Sequence, residues 1–247
     1  MTVAAGWCSQ GLTVFVPVYN EEALLVSHTR RLHDYLKSLK IPFEIIIGSN
    51  GSTDRTVQIA EKLCREYPQI RMFHLQEKGV GKAFKQGVRI SRYDRIVTVD
   101  MDLSINLGFV EEACGLLQTV DMVIGSKITG SQRRSWIRRL ASISFIRLAR
   151  VLLRIHFHDY SIAAKGYRKA LVEKYLPFMD DQTFYVVEIV CWASRDGKRL
   201  REIPVACTDL RGSRFNLIHE GIYKFGNLFL LWLLKSDRRS AKFRKAV

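Results

Sequence analysis

Residues 95–102 form a short apolar run, rich in β-branched side chains, that ends in two carboxylates, Asp100 and Asp102. Such a run predicts a buried strand, and its C-terminal end is where open α/β sheets bind their ligands. Because two acids one residue apart repel each other, they favour a shared cation. Their hard oxygen atoms suit Mg²⁺ or Mn²⁺, which commonly bridges protein carboxylates to a diphosphate. A turn at Asp100 followed by a helix cap at Asp102 is the alternative interpretation.

Three further apolar runs precede this one, at residues 12–18, 43–47 and 70–75, and each is followed by polar or glycine residues and then by a helical pattern. Strands that alternate with helices predict a parallel, doubly wound sheet whose strand ends share one crevice. The chain has 247 residues, of which 47% are hydrophobic. That is enough to bury one large core.

The motifs at these strand ends resemble, in order and spacing, the nucleotide-sugar domain of family 2 glycosyltransferases. The motifs are Val16–Glu22, Asn50–Asp54, Gly79–Ala83 and Asp100–Asp102. Within that family the chain most resembles the polyprenyl-phosphate sugar synthases, typified by dolichyl-phosphate mannosyltransferase. The resemblance covers roughly residues 12–216, which is most of the chain.

This resemblance implies a Rossmann-like α/β fold of the GT-A nucleotide-diphospho-sugar transferase type, in which helices flank a mostly parallel sheet. We expect a catalytic domain at residues 1–217, including an interface helix at about 135–157. A basic, amphipathic helix that associates with a membrane would follow at residues 218–247.

The implied activity is a metal-dependent, inverting transfer of a sugar from GDP-mannose or a UDP-hexose to a polyprenyl (dolichyl) phosphate, for lipid-linked glycan synthesis. A phosphate acceptor is already an anionic nucleophile, so positioning and charge neutralisation replace a strong base. We expect catalysis by Asp100, Asp102 and Arg211. The residues expected to bind the acceptor phosphate are Lys127, Arg133, Ser135, Arg211 and Arg214.

The same resemblance implies the donor and metal contacts. The cofactor would be Mg²⁺ or Mn²⁺, held by Asp100, Asp102 and Ser104. Lys82 follows a glycine-rich turn and could reach a phosphate, although a solvated lysine at a helix start is an equally good interpretation. The residues expected to bind the nucleotide sugar are Pro17, Tyr19, Glu21, Asn50, Asp54, Lys82, Asp100, Met101 and Asp102.

Several positions depart from the family pattern. Ser49 and Asn50 stand where the family often has two aspartates, and Ser104 stands where the mannosyltransferases usually have a glutamine metal ligand. Lys127 replaces an arginine, which keeps the charge but loses bidentate phosphate geometry. The stretch Asp159–Tyr167 is altered as well. These differences argue against a simple copy of the mannosyl enzyme, and the identity of the sugar stays open.

The net charge of +15 is concentrated in two segments. Residues 131–155 contain seven arginines and no acids, and residues 235–247 contain six basic residues and one acid. In the first segment the arginines Arg147, Arg150 and Arg154 share one helical face. A basic amphipathic helix suits an anionic bilayer interface, whereas a helix packed on the core with its arginines in water is the plainer alternative. The apolar residues predicted to share the other face are Ala141, Phe145, Leu148, Leu152 and Ile155.

The second segment follows the apolar stretch at residues 225–234, which is too short for a bilayer span of about 20 residues. Its aromatic residues and trailing cations suit an anchor that lies in the plane of the membrane. We expect no signal peptide, because residues 1–10 have neither a charged start nor an apolar core of adequate length. We therefore expect a peripheral protein on the cytoplasmic face of a membrane, without a transmembrane helix. The five cysteines lack the spacing of metal ligands.

Two alternative functions compete with this expectation. The acceptor could be a saccharide or glycolipid hydroxyl, for which Glu188 or Asp181 would serve as the base. Alternatively, the basic segments could bind nucleic acid. No nucleic-acid module is recognisable and the acids at the strand ends would be unexplained, so we expect no nucleic-acid partner.

Overall fold

The computed structural model describes residues 10–127, 136–160, 162–207 and 217–233. These ranges contain a seven-stranded sheet in the order β3-β2-β1-β4-β6-β5-β7. The strands β1 to β4, β5 and β7 run parallel to one another, and β6 is antiparallel to both its neighbours. The strands are β1 (Leu12–Val18), β2 (Phe43–Asn50), β3 (Ile70–Leu75), β4 (Arg95–Thr98), β5 (Met122–Ser126), β6 (Lys165–Arg168) and β7 (Leu200–Pro204).

Helices cover both faces of the sheet, so the predicted mostly parallel α/β architecture is confirmed. Alternate side chains of β1 enter different cores, as the pleat requires: Val14 and Val16 face one core, and Phe15 faces the other. The helices are α1 (Leu25–Ser38), α2 (Thr56–Glu66), α3 (Val80–Ile90), α4 (Gly108–Leu116), α5 (Trp136–Leu153), α6 (Lys169–Glu173), α7 (Tyr185–Arg195) and α8 (Leu217–Leu233).

The two cores divide the helices between them. Helices α1, α2 and α4 pack against the first core, while α3 and α5 to α8 supply the second. Buried apolar residues recur on these helices at spacings of three and four, as in Leu25, Leu32 and Leu36 of α1. The sheet therefore lies between two helical layers, and its strand ends remain open at the edges.

The reversed direction of β6 determines what lies at the ligand-binding edge. Because β6 is antiparallel, it begins, rather than ends, at the edge where β4 and β5 end. Lys165, the first residue of β6, pairs with Thr98 of β4 and Ile124 of β5. The residues immediately before β6 consequently reach the same edge as Asp100.

Helices α5 and α8 pack against each other through the rings of Phe145 and Phe225, whose centroids are 5.5 Å apart. On α5 the buried row is Phe145, Ala149 and Leu153, spaced four residues apart. The predicted apolar face is therefore partly wrong, since Leu148 is 38% exposed while Phe145 and Ile155 are buried and Leu152 is half-buried. Packing of α8 against α5 determines which row of α5 is buried, and Leu148 lies to one side of that row. Within the described ranges, every helix is too short or too polar to cross a bilayer.

Candidate active site

The candidate active site is a crevice along the edge where β1, β2, β4 and β5 end. Tyr19 follows β1, Asn50 ends β2, Asp100 follows β4, and Lys127 follows β5. Parallel pairing brings these positions to one side of the sheet. The predicted gathering of strand-end motifs is thus present in the described part of the chain.

The turns after β1 and β2 bind each other directly. The Thr53 amide donates to Asn20 Oδ1 at 2.8 Å, and the Asn20 amide donates to Ser52 Oγ at 3.2 Å. The Glu21 amide donates to Thr56 Oγ1 at 2.8 Å, so the loop that carries Tyr19 and Glu21 is held by the start of α2. Asn20 has a φ of +52°, a left-handed conformation that asparagine tolerates better than most residues.

Asp54 stabilises this pair of turns. Its Oδ1 accepts the Thr56 amide at 2.9 Å, and its Oδ2 accepts the Glu22 amide at 3.3 Å. Desolvation raises the pKa of Asp54, but hydrogen bonds from Thr56 and Glu22 outweigh it, so that the pKa is lowered overall. Both carboxylate oxygens therefore have structural partners, and the predicted contact of Asp54 with the donor stays a prediction.

The loop after β3 closes the other side of this crevice. The Asn50 side-chain amide donates to the Val18 carbonyl at 2.9 Å, and Asn50 Oδ1 accepts the Gly79 amide at 3.5 Å. The ammonium of Lys78 lies 3.7 Å from the centroid of the Tyr19 ring, in a cation–π arrangement. Sequence reasoning did not identify Lys78, whose only signal was its position before the glycine-rich turn.

Lys82 points into a neighbouring cleft. Its Nζ lies 2.5 Å from Glu77 Oε2, and this hydrogen bond raises the pKa of Lys82. The cleft has a volume of about 510 Å³ and is also lined by Lys85, Arg89 and Asp181. A phosphate-binding role for Lys82 stays a prediction, because its ammonium already has a carboxylate partner in this structure.

The turn after β4 presents the two predicted carboxylates. Asp102 Oδ1 accepts the Ser104 amide at 3.0 Å, and Leu103 adopts a φ of +46°. Met101 lies between the acids with its side chain buried, and its carbonyl accepts a hydrogen bond from His28 Nδ1 at 2.8 Å. The turn is thereby anchored to α1 through its backbone, and this attachment does not use the carboxylates of Asp100 and Asp102.

The Asp100 side chain is open to the crevice. Desolvation by the surrounding protein nevertheless raises the pKa of its carboxyl group to about 6. Repulsion from Asp102 acts in the same direction, whereas the charges of Lys127 and Lys165 and a hydrogen bond from the Ala163 amide oppose the shift. A cation bound between the two acids would favour their ionised forms.

These residues fit a cation that is shared with a substrate. In the ranges that the structure describes, no three His, Cys, Asp or Glu side chains converge on one point. A Mg²⁺ ion typically takes one or two protein carboxylates and completes its shell with phosphate oxygens and water. Asp100 and Asp102 supply such a pair, and the Ser104 hydroxyl lies on the same turn.

A buried lysine lies behind this turn. Lys165 is 0% exposed, and its Nζ donates to the Ile162 carbonyl at 2.9 Å and to the Gly125 carbonyl at 3.4 Å. Burial lowers its pKa to about 8, against the opposing charge of Asp159. Lys165 thus connects the end of β5 to the segment before β6, which contacts Asp100.

Asp159 completes this support. Its Oδ2 accepts the Lys127 amide at 3.4 Å, and its Oδ1 accepts the Ile162 amide at 3.3 Å. The Thr98 hydroxyl donates to the Ala163 carbonyl. The sequence of this stretch departs from the family pattern, but that departure alone predicts no role for Lys165 or Asp159. A lone lysine among small apolar residues was the available signal.

Of the predicted acceptor residues, Lys127 lies at the crevice, while Arg133, Ser135, Arg211 and Arg214 lie outside the described residues. The chain leaves the described part at positions 127 and 207, and both border the site. Cys207 forms a β-bridge with Ile105, and its Sγ lies 3.8 Å from Ser104 Oγ.

The two carboxylates considered as bases for a hydroxyl acceptor are both engaged. Glu188 is buried, and its Oε2 accepts the Asp180 amide at 2.6 Å. Asp181 Oδ1 forms an ion pair with Lys85 Nζ at 2.6 Å. Each contact engages one oxygen of its carboxylate, Oε2 of Glu188 and Oδ1 of Asp181, and the positive charge of Lys85 also makes Asp181 a weaker base.

Comparison with known proteins agrees with this geometry. Residues 13–176 match the family model described as glycosyl transferase family 2. The chain is 25% identical over 230 residues to glycosyltransferase AglD of Haloferax volcanii, covering 90% of this chain and 37% of that protein. It is also 25% identical over 248 residues to a dolichyl-phosphate beta-glucosyltransferase of Saccharomyces cerevisiae, covering 89% of this chain and 73% of that protein.

Among solved structures, the fold is similar to that of glucosyl-3-phosphoglycerate synthase from Mycobacterium tuberculosis, solved with Mn²⁺, uridine diphosphate and glucosyl-3-phosphoglycerate. The TM-score is 0.64 and the identity 16%, and the alignment covers 90% of this chain and 80% of the other. At this identity the similarity establishes the fold. The chain spans well under half the length of the Haloferax relative, 37%, so it corresponds to part of that protein.

Proposed function

Because the chain belongs to glycosyl transferase family 2, we propose that it transfers a sugar from a nucleotide sugar to a polyprenyl phosphate, with inversion at the anomeric carbon. The observation that carries this proposal is the crevice in which Asp100 and Asp102 lie beside the Asn50 turn and Lys127. The engagement of Glu188 and Asp181 favours an acceptor that needs no base. The names of the relatives, which include a dolichyl-phosphate beta-glucosyltransferase, support the same acceptor class.

The donor would lie across the ends of β1, β2 and β4. Pro17, Tyr19, Glu21 and Asn50 would line the nucleoside side, and the Asp100 turn would face the diphosphate. GDP-mannose and a UDP-hexose are both compatible with this arrangement. The relatives' names include a glucosyltransferase, which favours testing UDP-glucose first.

A divalent ion, Mg²⁺ or Mn²⁺, would be held by Asp100 and Asp102, with the Ser104 hydroxyl as a further ligand. Such an ion neutralises the charge that develops on a departing nucleoside diphosphate. Mn²⁺ in the structural neighbour supports a metal of this kind. The protein's own contribution is to hold the two carboxylates on an anchored turn, through the Ser104 amide and His28.

The acceptor phosphate would approach from the side of β5 and β6. Lys127 is the cationic side chain that the described residues present to the crevice on that side. Arg133, Ser135, Arg211 and Arg214 are proposed to complete the acceptor site. Asp159 accepts a hydrogen bond from the Lys127 amide, which holds the backbone from which the lysine side chain extends. Arg211 would join Asp100 and Asp102 in catalysis by neutralising charge.

The face formed by α5 and α8 is proposed to bind an anionic lipid surface. On α5, the exposed apolar residues Leu148 and Val151 lie near the exposed Arg147 and near Arg154, which directly follows the helix. Such a mixture of apolar and basic side chains suits the headgroup region of a bilayer. Exposed apolar residues on α8 extend this face, namely Ile222, Phe229, Leu230, Trp232 and Leu233. The protein would then act as a peripheral enzyme on the cytoplasmic face, with residues 218–247 as its membrane-associating part.

Transfer to dolichyl phosphate in detergent tests the proposal. Radiolabelled UDP-glucose, GDP-mannose and UDP-N-acetylglucosamine are each supplied with Mn²⁺ or Mg²⁺. We expect one donor to label an organic-extractable, acid-labile product. The Asp102→Asn variant should lose at least roughly a hundred-fold of this activity, because the reaction loses several kcal/mol of charge stabilisation.

Asp121→Asn is the matched control. Asp121 Oδ2 accepts the Arg199 amide at 2.8 Å at the opposite end of β5, and an asparagine oxygen can replace that acceptor. This variant should retain full activity. Transfer to a soluble sugar that lacks a phosphate, with dolichyl phosphate left unlabelled, would support the hydroxyl acceptor instead.

A further inference from the structure

Helix α8 is hydrogen-bonded to the turn between α6 and α7. The Tyr223 hydroxyl donates to the Asp180 carboxylate, and the Thr183 hydroxyl donates to Glu220 Oε1 at 2.5 Å. Glu220 also pairs with Lys224 at 3.1 Å, within α8. We call residues 179–183 the brace, because the contacts described next connect it to both α8 and α3.

Asp180 organises the brace. The carboxylate oxygen that does not bind Tyr223 accepts the amides of Gln182, at 2.9 Å, and Phe184, at 3.0 Å. The Asp180 amide donates to the buried Glu188 at 2.6 Å. Asp180 is therefore held by its own turn, by α7 and by α8.

The other side of the brace holds the start of α3. The Lys82 amide donates to the Asp181 carbonyl at 3.0 Å. The buried Lys85 ammonium donates to the Met179 carbonyl at 2.5 Å and to Asp181 Oδ1 at 2.6 Å. The side chain of Gln182 donates to the Lys78 carbonyl at 3.3 Å. These contacts define the position of residues 78–85 relative to the brace.

Residues 78 and 79 in turn contact the donor pocket. The Gly79 amide faces Asn50 Oδ1 at 3.5 Å, and the Lys78 ammonium lies over the Tyr19 ring at 3.7 Å. A continuous series of polar contacts thus leads from Tyr223 through Asp180 and the brace to Asn50 and Tyr19. One end of this series lies on α8, the helix that the proposed function assigns to a lipid surface, and the other lies at the proposed donor pocket.

We propose that Tyr223 and Asp180 couple α8 to the donor pocket, so that seating α8 on an anionic lipid surface and binding a nucleoside diphosphate strengthen each other. This inference rests on the proposed function, which supplies the two ligands. A helix held by lipid keeps Tyr223 against the brace, and a held brace restricts the Gly79 loop. The nucleotide then has less of that loop to order, which strengthens its binding without any new contact.

Coupling between two sites is reciprocal, which gives two independent measurements. The first is the dissociation constant of uridine and guanosine diphosphates with Mn²⁺, with and without vesicles of phosphatidylcholine and phosphatidylserine. The second is the affinity of the full chain for the same vesicles, with and without nucleotide. We expect both affinities to rise by the same factor, roughly five-fold or more.

Tyr223→Phe removes the hydroxyl and keeps the ring. We expect the coupling factor to fall to about one in this variant, while its affinity for vesicles without nucleotide stays at the wild-type value. Thr183→Val, which removes the other contact with α8, should reduce the factor in part. The matched control is Tyr175→Phe, since the Tyr175 hydroxyl donates to Asp196 Oδ2 at 2.8 Å at the opposite end of α7. It should retain full coupling.

The outcomes separate this inference from the proposed function. If neither nucleotide binds with or without vesicles, both proposals fail. If a nucleotide binds equally well in both conditions, or if vesicles do not bind, the coupling is refuted while donor binding stands. Undiminished coupling in a folded Tyr223→Phe protein would also refute the assignment, and thermal unfolding monitored by circular dichroism establishes that the variant is folded.

Discussion

Gly81, in the first turn of α3, lies directly against the backbone of Asp180. A Cβ atom at Gly81 would lie 2.3 Å from the Asp180 carbonyl oxygen, and it would also approach the Asp181 carbonyl carbon at 2.7 Å and the Gln182 carbonyl oxygen at 2.8 Å. These are backbone atoms, which cannot rotate away as a side chain can. The start of α3 and the brace therefore fit together without room for one additional methyl group.

Replacing Gly81 by alanine should separate the brace from α3. We expect a stability loss of about 1–3 kcal/mol, as in other overpacked sites. The affinity for nucleoside diphosphate should also fall, because the Gly79 loop loses its support. Urea unfolding and nucleotide titration measure the two effects.

Gly221→Ala in α8 is the control for that substitution, because a Cβ at Gly221 meets no atom within 4 Å. This variant should bind nucleotide normally and gain roughly 0.5–1 kcal/mol from its higher helix propensity. A Gly81→Ala protein with the stability and affinity of the wild type would show that the brace can move without consequence.

Asp54→Ala should destabilise the protein by about 1 kcal/mol, since it removes the acceptor for the Thr56 amide at the start of α2. The pKa of Asp54 is lowered in the folded state. Its contribution is therefore present above the ordinary aspartate pKa of 3.8, and it is lost as the pH falls through the lowered folded value. The variant's unfolding free energy should accordingly fall less than that of the wild type on acidification.

Asp54→Asn keeps one acceptor oxygen, and we expect its stability to be intermediate. Urea unfolding at neutral and acidic pH measures all three proteins. If Asp54→Ala is as stable as the wild type but fails to bind nucleotide, the predicted ligand role of Asp54 is favoured over the structural one.

The aromatic residues Phe229 and Trp232 of α8 should anchor the protein to lipid. Their rings lie 5.4 Å apart, and they are 51% and 41% exposed. Replacing both by serine removes apolar area that a bilayer would bury, so we expect vesicle affinity to fall by roughly ten-fold or more. Vesicle sedimentation at low and high salt measures the change.

Val26→Ser serves as the comparison for this pair, because Val26 is 36% exposed on α1, a helix of the other core. Its vesicle affinity should equal that of the wild type. If the Phe229→Ser, Trp232→Ser protein binds vesicles as tightly as the wild type, the membrane contact lies elsewhere in the chain.

Lys165 should give the protein a distinctive response to alkaline pH. Burial lowers the pKa of Lys165 from 10.5 to about 8, so between these values the unfolded chain binds more protons than the folded one. Stability from this group therefore rises with pH in that window. Relative to Lys165→Met, the wild type should gain up to about 1.4 kcal/mol per pH unit from pH 8 to pH 10.

Urea unfolding of both proteins across this window measures the difference. The sign of the stability difference at neutral pH depends on whether the Ile162 and Gly125 carbonyls find other hydrogen-bond donors in the variant. The change of that difference with pH does not depend on this. A difference in unfolding free energy that stays constant across the window would show that Lys165 does not change its protonation there.

Much of the sheet could be predicted from local patterns. The predicted runs at residues 12–18 and 70–75 coincide with β1 and β3, because apolar residues of this kind stabilise a strand wherever helices cover both faces. The position of Asp100 and Asp102 after β4 followed from the same pattern. Parallel pairing then placed these acids near Asn50 and Tyr19.

Other parts of the site had no local signature. Strand β6 is four residues long and contains a lysine and an arginine, so no apolar pattern marked it as an inner strand. On α5, helical periodicity was correctly predicted, but the buried row was determined by where α8 packs. Lys78 and Lys82 lie four residues apart, and packing of the loop after β3 decided which one approaches Tyr19.

Local patterns are sufficient to predict the α/β architecture and the carboxylates at the strand ends, because periodicity and turn chemistry act between neighbours in the chain. The direction of β6, the burial of Lys165 behind Asp100, and the contact of Tyr223 with Asp180, which are 43 residues apart, depend on tertiary packing. Such contacts depend on how separate elements pack. Their free energy arises from burial and hydrogen bonding between distant segments, and no local pattern records it.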